Sequence, residues 1–187
     1  MLEIEMKFPV ADLAALESQV SRYAVRETSI VDEADHYFNA PDRDFAVTDE
    51  ALRLRRIGLK NFVTYKGPRS DKQTKTRKEI EVPLGDGAAA ADGFIQILQH
   101  LGYRPVAVVK KRRKILRLER DGFALEVCLD TVERLGHFVE LEIVAPENQL
   151  NAARATLLQL ANELGLKQPE RRSYLELLLE AQKGQTR

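Results

Sequence analysis

The chain has 187 residues, 44% of them apolar and 31% charged, with 29 basic and 29 acidic side chains and no formal net charge. That balance argues against bulk attraction to nucleic acid or an anionic membrane. Cys128 is the only cysteine, no run approaches the ~18 apolar residues of a membrane span, and no secretory leader is visible, so a single cytoplasmic domain over residues 1–187 is expected.

The first residues set the pattern. Leu2, Ile4, Met6 and Phe8 alternate with Glu3, Glu5 and Lys7, which predicts a strand with one apolar and one charged face. Charged positions recur about every 6.6 Å along it. Val10, Leu13, Leu16 and Val20 predict a short amphipathic helix over about 10–22. Residues 25–39 read as extended and 41–44 as a turn. Residues 51–57 alternate again, with Arg53 and Arg55 on one face. A turn over 58–61 leads to a strand over 62–66, in which Thr64 and Lys66 share a face. Residues 69–76 read as a polar, basic loop. Arg77, Glu79 and Glu81 then alternate with Lys78, Ile80 and Val82.

Asp92 is placed to cap a helix that carries Phe94, Ile97, Leu98 and Leu101. A long strand over about 105–120 contains the basic run 110–114. Asp121-Gly122 predicts a tight hairpin. Two further strands follow, one with Glu126, Cys128 and Asp130 on one parity, the other with Glu140 and Glu142. A helical segment begins at about 146, and a last helix covers about 171–181. The expectation is eight strands, mostly hairpin-linked, with helices between some of them and at the end.

Like charges sit at i and i+2 on five strands: Glu3/Glu5, Arg53/Arg55, Glu79/Glu81, Lys111/Arg113 and Glu140/Glu142. Ordinary solvated faces mix signs. At ~7 Å and an effective dielectric of ~20, like charges repel by roughly 2 kcal/mol. The opposite faces are apolar and suit a covering of helices, and eight hairpin-linked strands can close into a barrel. The charged faces then point into a wet interior that binds something answering both signs. Acids answer divalent metal and Arg/Lys clusters answer phosphate oxygens, so a metal-chelated polyphosphate satisfies both.

Other features carry less. His36, His100 and His137 have no ligand-like spacing. Cys128 reads as a small filler. In the run 110–114 only alternate residues share a face, with Lys111 and Arg113 inward. There is no P-loop.

The blocks follow one another in an order that resembles a known family. They are Glu3-x-Glu5-x-Lys7, Asp35-His36-Tyr37-Phe38, Asp49-Glu50-Ala51-Leu52-Arg53-Leu54-Arg55, Thr64-Tyr65-Lys66-Gly67-Pro68, Arg77-x-Glu79-x-Glu81, Lys111-x-Arg113, the stretch from Asp130 to Glu142, and Ser173-Tyr174-Leu175-Glu176. They are similar to the CYTH superfamily, the triphosphate tunnel metalloenzymes. The resemblance implies an α+β fold, an eight-stranded antiparallel β-barrel with helices packed outside and a tunnel for lumen. It implies that Lys7, Arg53, Arg55, Lys66, Arg77, Lys111 and Arg113 grip a triphosphate. Glu3, Glu5, Asp130, Glu140 and Glu142 would hold Mg²⁺ or Mn²⁺, with Glu79, Glu81 and Glu126 in support. Ile115 departs from the aromatic residue many relatives carry there.

The implied activity is that of the class IV adenylate cyclase branch, from ATP to cyclic AMP and pyrophosphate. The alternatives are a triphosphatase acting on thiamine triphosphate or tripolyphosphate and a non-catalytic polyphosphate-binding module. No general base is identified, and metal activation of the nucleophile suffices. Tyr37, Phe38 and Tyr65 are the candidates for a nucleoside pocket. The implied partner is a small triphosphate, with neither nucleic acid nor membrane. The oligomeric state stays open, a homodimer among those allowed.

Overall fold

A computed structural model describes residues 2–69 and 77–184; the side chains of Arg69 and Arg77 lie outside the described set. The strands are β1 (Leu2–Pro9), β2 (Glu27–Asn39), β3 (Ala51–Ile57), β4 (Lys60–Arg69), β5 (Arg77–Leu84), β6 (Arg104–Arg120), β7 (Phe123–Val132) and β8 (Gly136–Ala145). The helices are α1 (Leu13–Val20), α2 (Phe45–Thr48), α3 (Ala88–His100), α4 (Leu150–Glu163) and α5 (Tyr174–Gly184). The strands form one sheet in the order β1-β8-β7-β6-β2-β3-β4-β5. This is the α+β class, with the eight strands, that the sequence led us to expect. Among the described residues no helix is long and apolar enough to cross a membrane.

Local chemistry explains the element ends. Asp12 accepts a hydrogen bond from the Ala15 amide at 3.0 Å and starts α1 later than expected. The segment after β2 is more than a turn. Asn39 accepts from the Phe45 amide at 2.9 Å, Asp44 caps α2, and Asp49 ends it with φ 56°. Helix α3 begins at Ala88, a turn before Asp92, because four alanines favour helix at once. Asp121 and Gly122, with φ of 51° and 81°, make the β6–β7 hairpin. Ser173 and Glu176 form a reciprocal capping box that starts α5 at Tyr174.

The described residues fall into two compact units: residues 2–30 with Arg112–Arg172, and Val31–Arg69 with Arg77–Lys111 and residues 173–184. In the first unit, Ile4 of β1 lies opposite Ile143 of β8, which lies opposite Leu125 of β7. The next apolar rows are Met6–Leu141–Val127 and Phe8–Val139–Leu129. Leu16 and Val20 of α1 and Leu157 and Leu160 of α4 pack against these rows in one core. The charged rows alternate with the apolar ones and so lie on the face away from the helices. In the second unit, Phe38 and Leu54 pack on Ala91 and Leu98 of α3.

Each such buried side chain contributes about 1.5–3 kcal/mol. Ile143 is 1% exposed at the centre of the first core. Ile143→Val is expected to cost about 0.5–1.5 kcal/mol, measured by urea unfolding. No measurable change would show that this row is loosely packed.

Candidate functional site

In the first unit, β1, β8 and β7 present one continuous charged face. Glu5 lies opposite Glu142, which lies opposite Glu126; Lys7 lies opposite Glu140, which lies opposite Cys128. Arg113 of β6 is held here. Its Nε donates to Asp130 Oδ1 at 2.8 Å and its Nη2 to Asp130 Oδ2 at 2.6 Å. The same guanidinium also bonds Glu140 and lies 3.4 Å from Glu142. Asp130, Glu140 and Arg113 are all buried, so each charge needs its partner.

The acids implied as metal ligands therefore divide. Carboxylate oxygens of Glu3, Glu5 and Glu142 lie within 4.8 Å of one another, whereas Asp130 and Glu140 are engaged by Arg113. Burial pushes the Glu142 carboxyl up to about 8; Arg113 opposes this, and Glu140, Glu5 and Glu3 add to it. Carboxylates crowded at that cost suit a divalent cation, and Glu3 is exposed enough to admit one. The donor set thus fits a hard, oxygen-seeking metal.

Two further residues on this face have other partners. Glu126 accepts from Arg117 Nε at 2.7 Å. Lys7, 1% exposed, donates to the Arg172 carbonyl at 2.5 Å and lies 5.9 Å from the Phe138 ring centre. Cys128 is fully buried, and burial pushes its thiol well up, against a nucleophilic role.

The second unit carries a different face. Asp35 lies opposite Arg55, and Tyr37 opposite Arg53. Arg53 faces Thr64, which faces Glu81. Lys66 faces Glu79 across the same pair of strands and bonds it. Asp35 takes Arg55 through two bonds of 2.7 Å and Arg53 at 3.3 Å. Glu33 lies 3.1 Å from Arg55 and 3.3 Å from Lys111. Lys111 also sits 5.3 Å from the centre of the Tyr174 ring. Here acids and bases alternate. In the first unit acids predominate.

Lys111 and Arg113 are buried while Lys110 and Arg112 are exposed, as the alternation predicted. Glu79 and Glu81 share the face of Lys66 and Thr64 but are exposed. The side chain of Arg77, expected in the phosphate clamp, lies outside the described set. His36 is half-buried and His137 exposed, and neither joins a cluster of possible metal ligands among the described residues. Sequence reasoning passed over Glu33, Asp35 and Thr64 as site residues. The signal was there: Glu33 and Asp35 are another like-charged i, i+2 pair, blurred by exposed Asp32 beside them.

Comparison with known proteins places this geometry. The PH1819 protein from Pyrococcus horikoshii shares the fold with a TM-score of 0.82 and 38% identity, over 95% of this chain and 98% of that one. A Methanocaldococcus jannaschii protein, named provisionally as an adenylate cyclase, is 36% identical over 95% of this chain and 98% of its own. Adenylate cyclase CyaB of Aeromonas hydrophila is 30% identical over 94% of this chain and 87% of its own. The CYTH domain pattern matches residues 1–174, and the chain belongs to the CYTH domain family.

Proposed function

We propose that this chain is a divalent-cation-dependent enzyme acting on triphosphates, and that its reaction converts ATP to cyclic AMP and pyrophosphate. One observation carries the reading: the carboxylates of Glu3, Glu5 and Glu142 gather, as do the cations Arg53, Arg55, Lys66 and Lys111 among their acids. A pure anion-binding module would need only the bases.

Glu3, Glu5 and Glu142 would hold Mg²⁺ or Mn²⁺. Such an ion supplies Lewis-acid polarisation of phosphoryl oxygens and eases ionisation of the attacking hydroxyl. The chain's own cations do the rest. Arg53 and Arg55 present planar forks suited to phosphate oxygens, with Lys66 and Lys111 as point charges beside them. In cyclisation the 3′-oxygen bonds to the α-phosphorus and the bond from that phosphorus to the bridging oxygen of the β-phosphate breaks. The hydroxyl proton is lost to solvent. The guanidiniums stabilise charge that grows on the departing pyrophosphate. The similarity to CyaB, 30% identical, supports this choice of reaction.

Hydrolysis of a triphosphate is the second reading, and one observation favours it. Tyr174 and Phe138 are seated against Lys111 and Lys7, and Tyr37 is buried against Arg53. These rings are occupied by cations instead of standing open to stack on a base. The two readings separate on products. ATP, tripolyphosphate and thiamine triphosphate are incubated separately with Mg²⁺ or Mn²⁺, and the products are resolved by chromatography. Cyclic AMP and pyrophosphate from ATP are expected. Orthophosphate without cyclic nucleotide moves the assignment to a triphosphatase. Binding without turnover of any of the three leaves only a binding module.

A further inference from the structure

We propose that Asp35 is a positioning residue: its carboxylate locks Arg53 and Arg55 into one fixed fork, and that order sets how fast a bound triphosphate reacts. The inference rests on the triphosphate reading above.

The geometry is a ladder of alternating charge. Asp35 Oδ1 accepts from Arg55 Nε at 2.7 Å, and Asp35 Oδ2 accepts from Arg55 Nη2 at 2.7 Å and Arg53 Nη1 at 3.3 Å. One step along β2, Glu33 bridges Arg55 and Lys111. On the other side, the Thr64 hydroxyl accepts from Arg53 Nε at 3.3 Å and donates to Glu81 at 2.7 Å. Arg53 is thus fixed at two of its nitrogens, and Arg55 by a two-point contact.

Asp35 is 3% exposed. Burial alone would push its carboxyl up. The Arg55 hydrogen bonds and the charges of Arg53, Arg55 and Lys111 outweigh burial and hold it well below the usual carboxylate range. It is therefore a permanent anion among the cations that would take phosphate.

This position gives Asp35 two opposed effects. It competes with phosphate oxygens for the same guanidiniums, which weakens ground-state binding. It also removes the torsional freedom of two long side chains, which pre-organises donors for charge that develops in the transition state. Removing its charge should therefore leave binding intact or tighter while turnover falls. A salt bridge that only supports the fold would move both together or neither.

The test uses the full chain. Asp35→Asn keeps the size but removes the charge and one of the two acceptor oxygens. Tripolyphosphate binding is measured calorimetrically in EDTA, and turnover of tripolyphosphate and ATP with Mn²⁺, below the melting temperature. The expected result is a dissociation constant unchanged or up to about threefold tighter, with kcat lowered at least about tenfold. Equal kcat, or affinity and kcat falling in proportion, overturns the proposal. If Asp35→Asn does not fold, Asp35→Glu keeps the charge but moves the carboxylate by one methylene out of its two-point contact with Arg55, and the same split is expected.

A wild-type protein that neither binds nor turns over either compound sinks the functional reading. The positioning role is then decided by hydrogen exchange of the Arg53 and Arg55 Nε–H groups, followed by ¹⁵N NMR without ligand. Slow exchange in the wild type that becomes fast in Asp35→Asn supports it, and equal exchange overturns it.

Discussion

Replacing Glu142 by Gln is expected to lower metal-dependent turnover at least about a thousandfold, equivalent to ~4 kcal/mol, while the protein stays folded. Glu142 lies opposite both Glu5 and Glu126 in the sheet, and its carboxylate forms a group with Glu3 and Glu5 whose oxygens approach within 4.8 Å. Burial and three neighbouring acids make its charge costly, Arg113 notwithstanding. Gln removes that cost, keeps the shape and loses the ligand. Arg113 keeps Asp130 and Glu140, so no buried cation is stranded. A readout independent of turnover follows. A cation at 100 times its dissociation constant contributes about 2.7 kcal/mol to the folded state. For a chain of this size each kcal/mol moves Tm by roughly 2–4 °C. Mn²⁺ should therefore raise the wild-type Tm by about 5–10 °C and leave E142Q unmoved, and EDTA should reverse the rise. An undiminished Mn²⁺ shift in E142Q would place the cation elsewhere.

The strand faces were legible because apolar and charged residues alternate through β1 and through the central parts of β3, β7 and β8. Spacing alone placed Glu5 and Glu142 on a charged face. It could not say which acid meets which base. The family resemblance offers Asp130 and Glu140 as metal ligands; that Arg113 also reaches both from β6 is visible only in three dimensions. Glu33 and Asp35 were obscured by Asp32, whose charge breaks the visible alternation although it points outward. Helix α2 was hidden for another reason. Four residues carry no helical period, and the segment is held by bonds that reach six and seven residues along the chain: Asn39 to the Phe45 amide, and Arg43 to Glu50 at 2.8 Å. The start of α3 was misplaced because a good capping residue at Asp92 outweighed, on paper, four alanines that had already begun the helix.

Arg53→Ala is expected to lower catalytic efficiency toward a triphosphate at least about a hundredfold, ~2.7 kcal/mol, whereas Arg56→Ala should change it less than about threefold. The two are three positions apart on β3, on opposite faces. Arg53 is 8% exposed and bonded to Asp35 and Thr64 on the charged face. Arg56 lies opposite Ala34 and Asn61, with the residues that turn away from that face. Loss of Arg53 removes one planar donor from the fork. Asp35 retains both bonds to Arg55, so the buried carboxylate stays paired and the loss reports on substrate more than on folding. Arg53→Lys separates charge from shape: it keeps the positive charge but cannot offer two parallel donors. It should fall between wild type and Arg53→Ala. If Lys restored full efficiency, Arg53 would act as a point charge and the fork would be irrelevant. If Arg56→Ala proved the more damaging change, phosphate would be bound on the other face of β3.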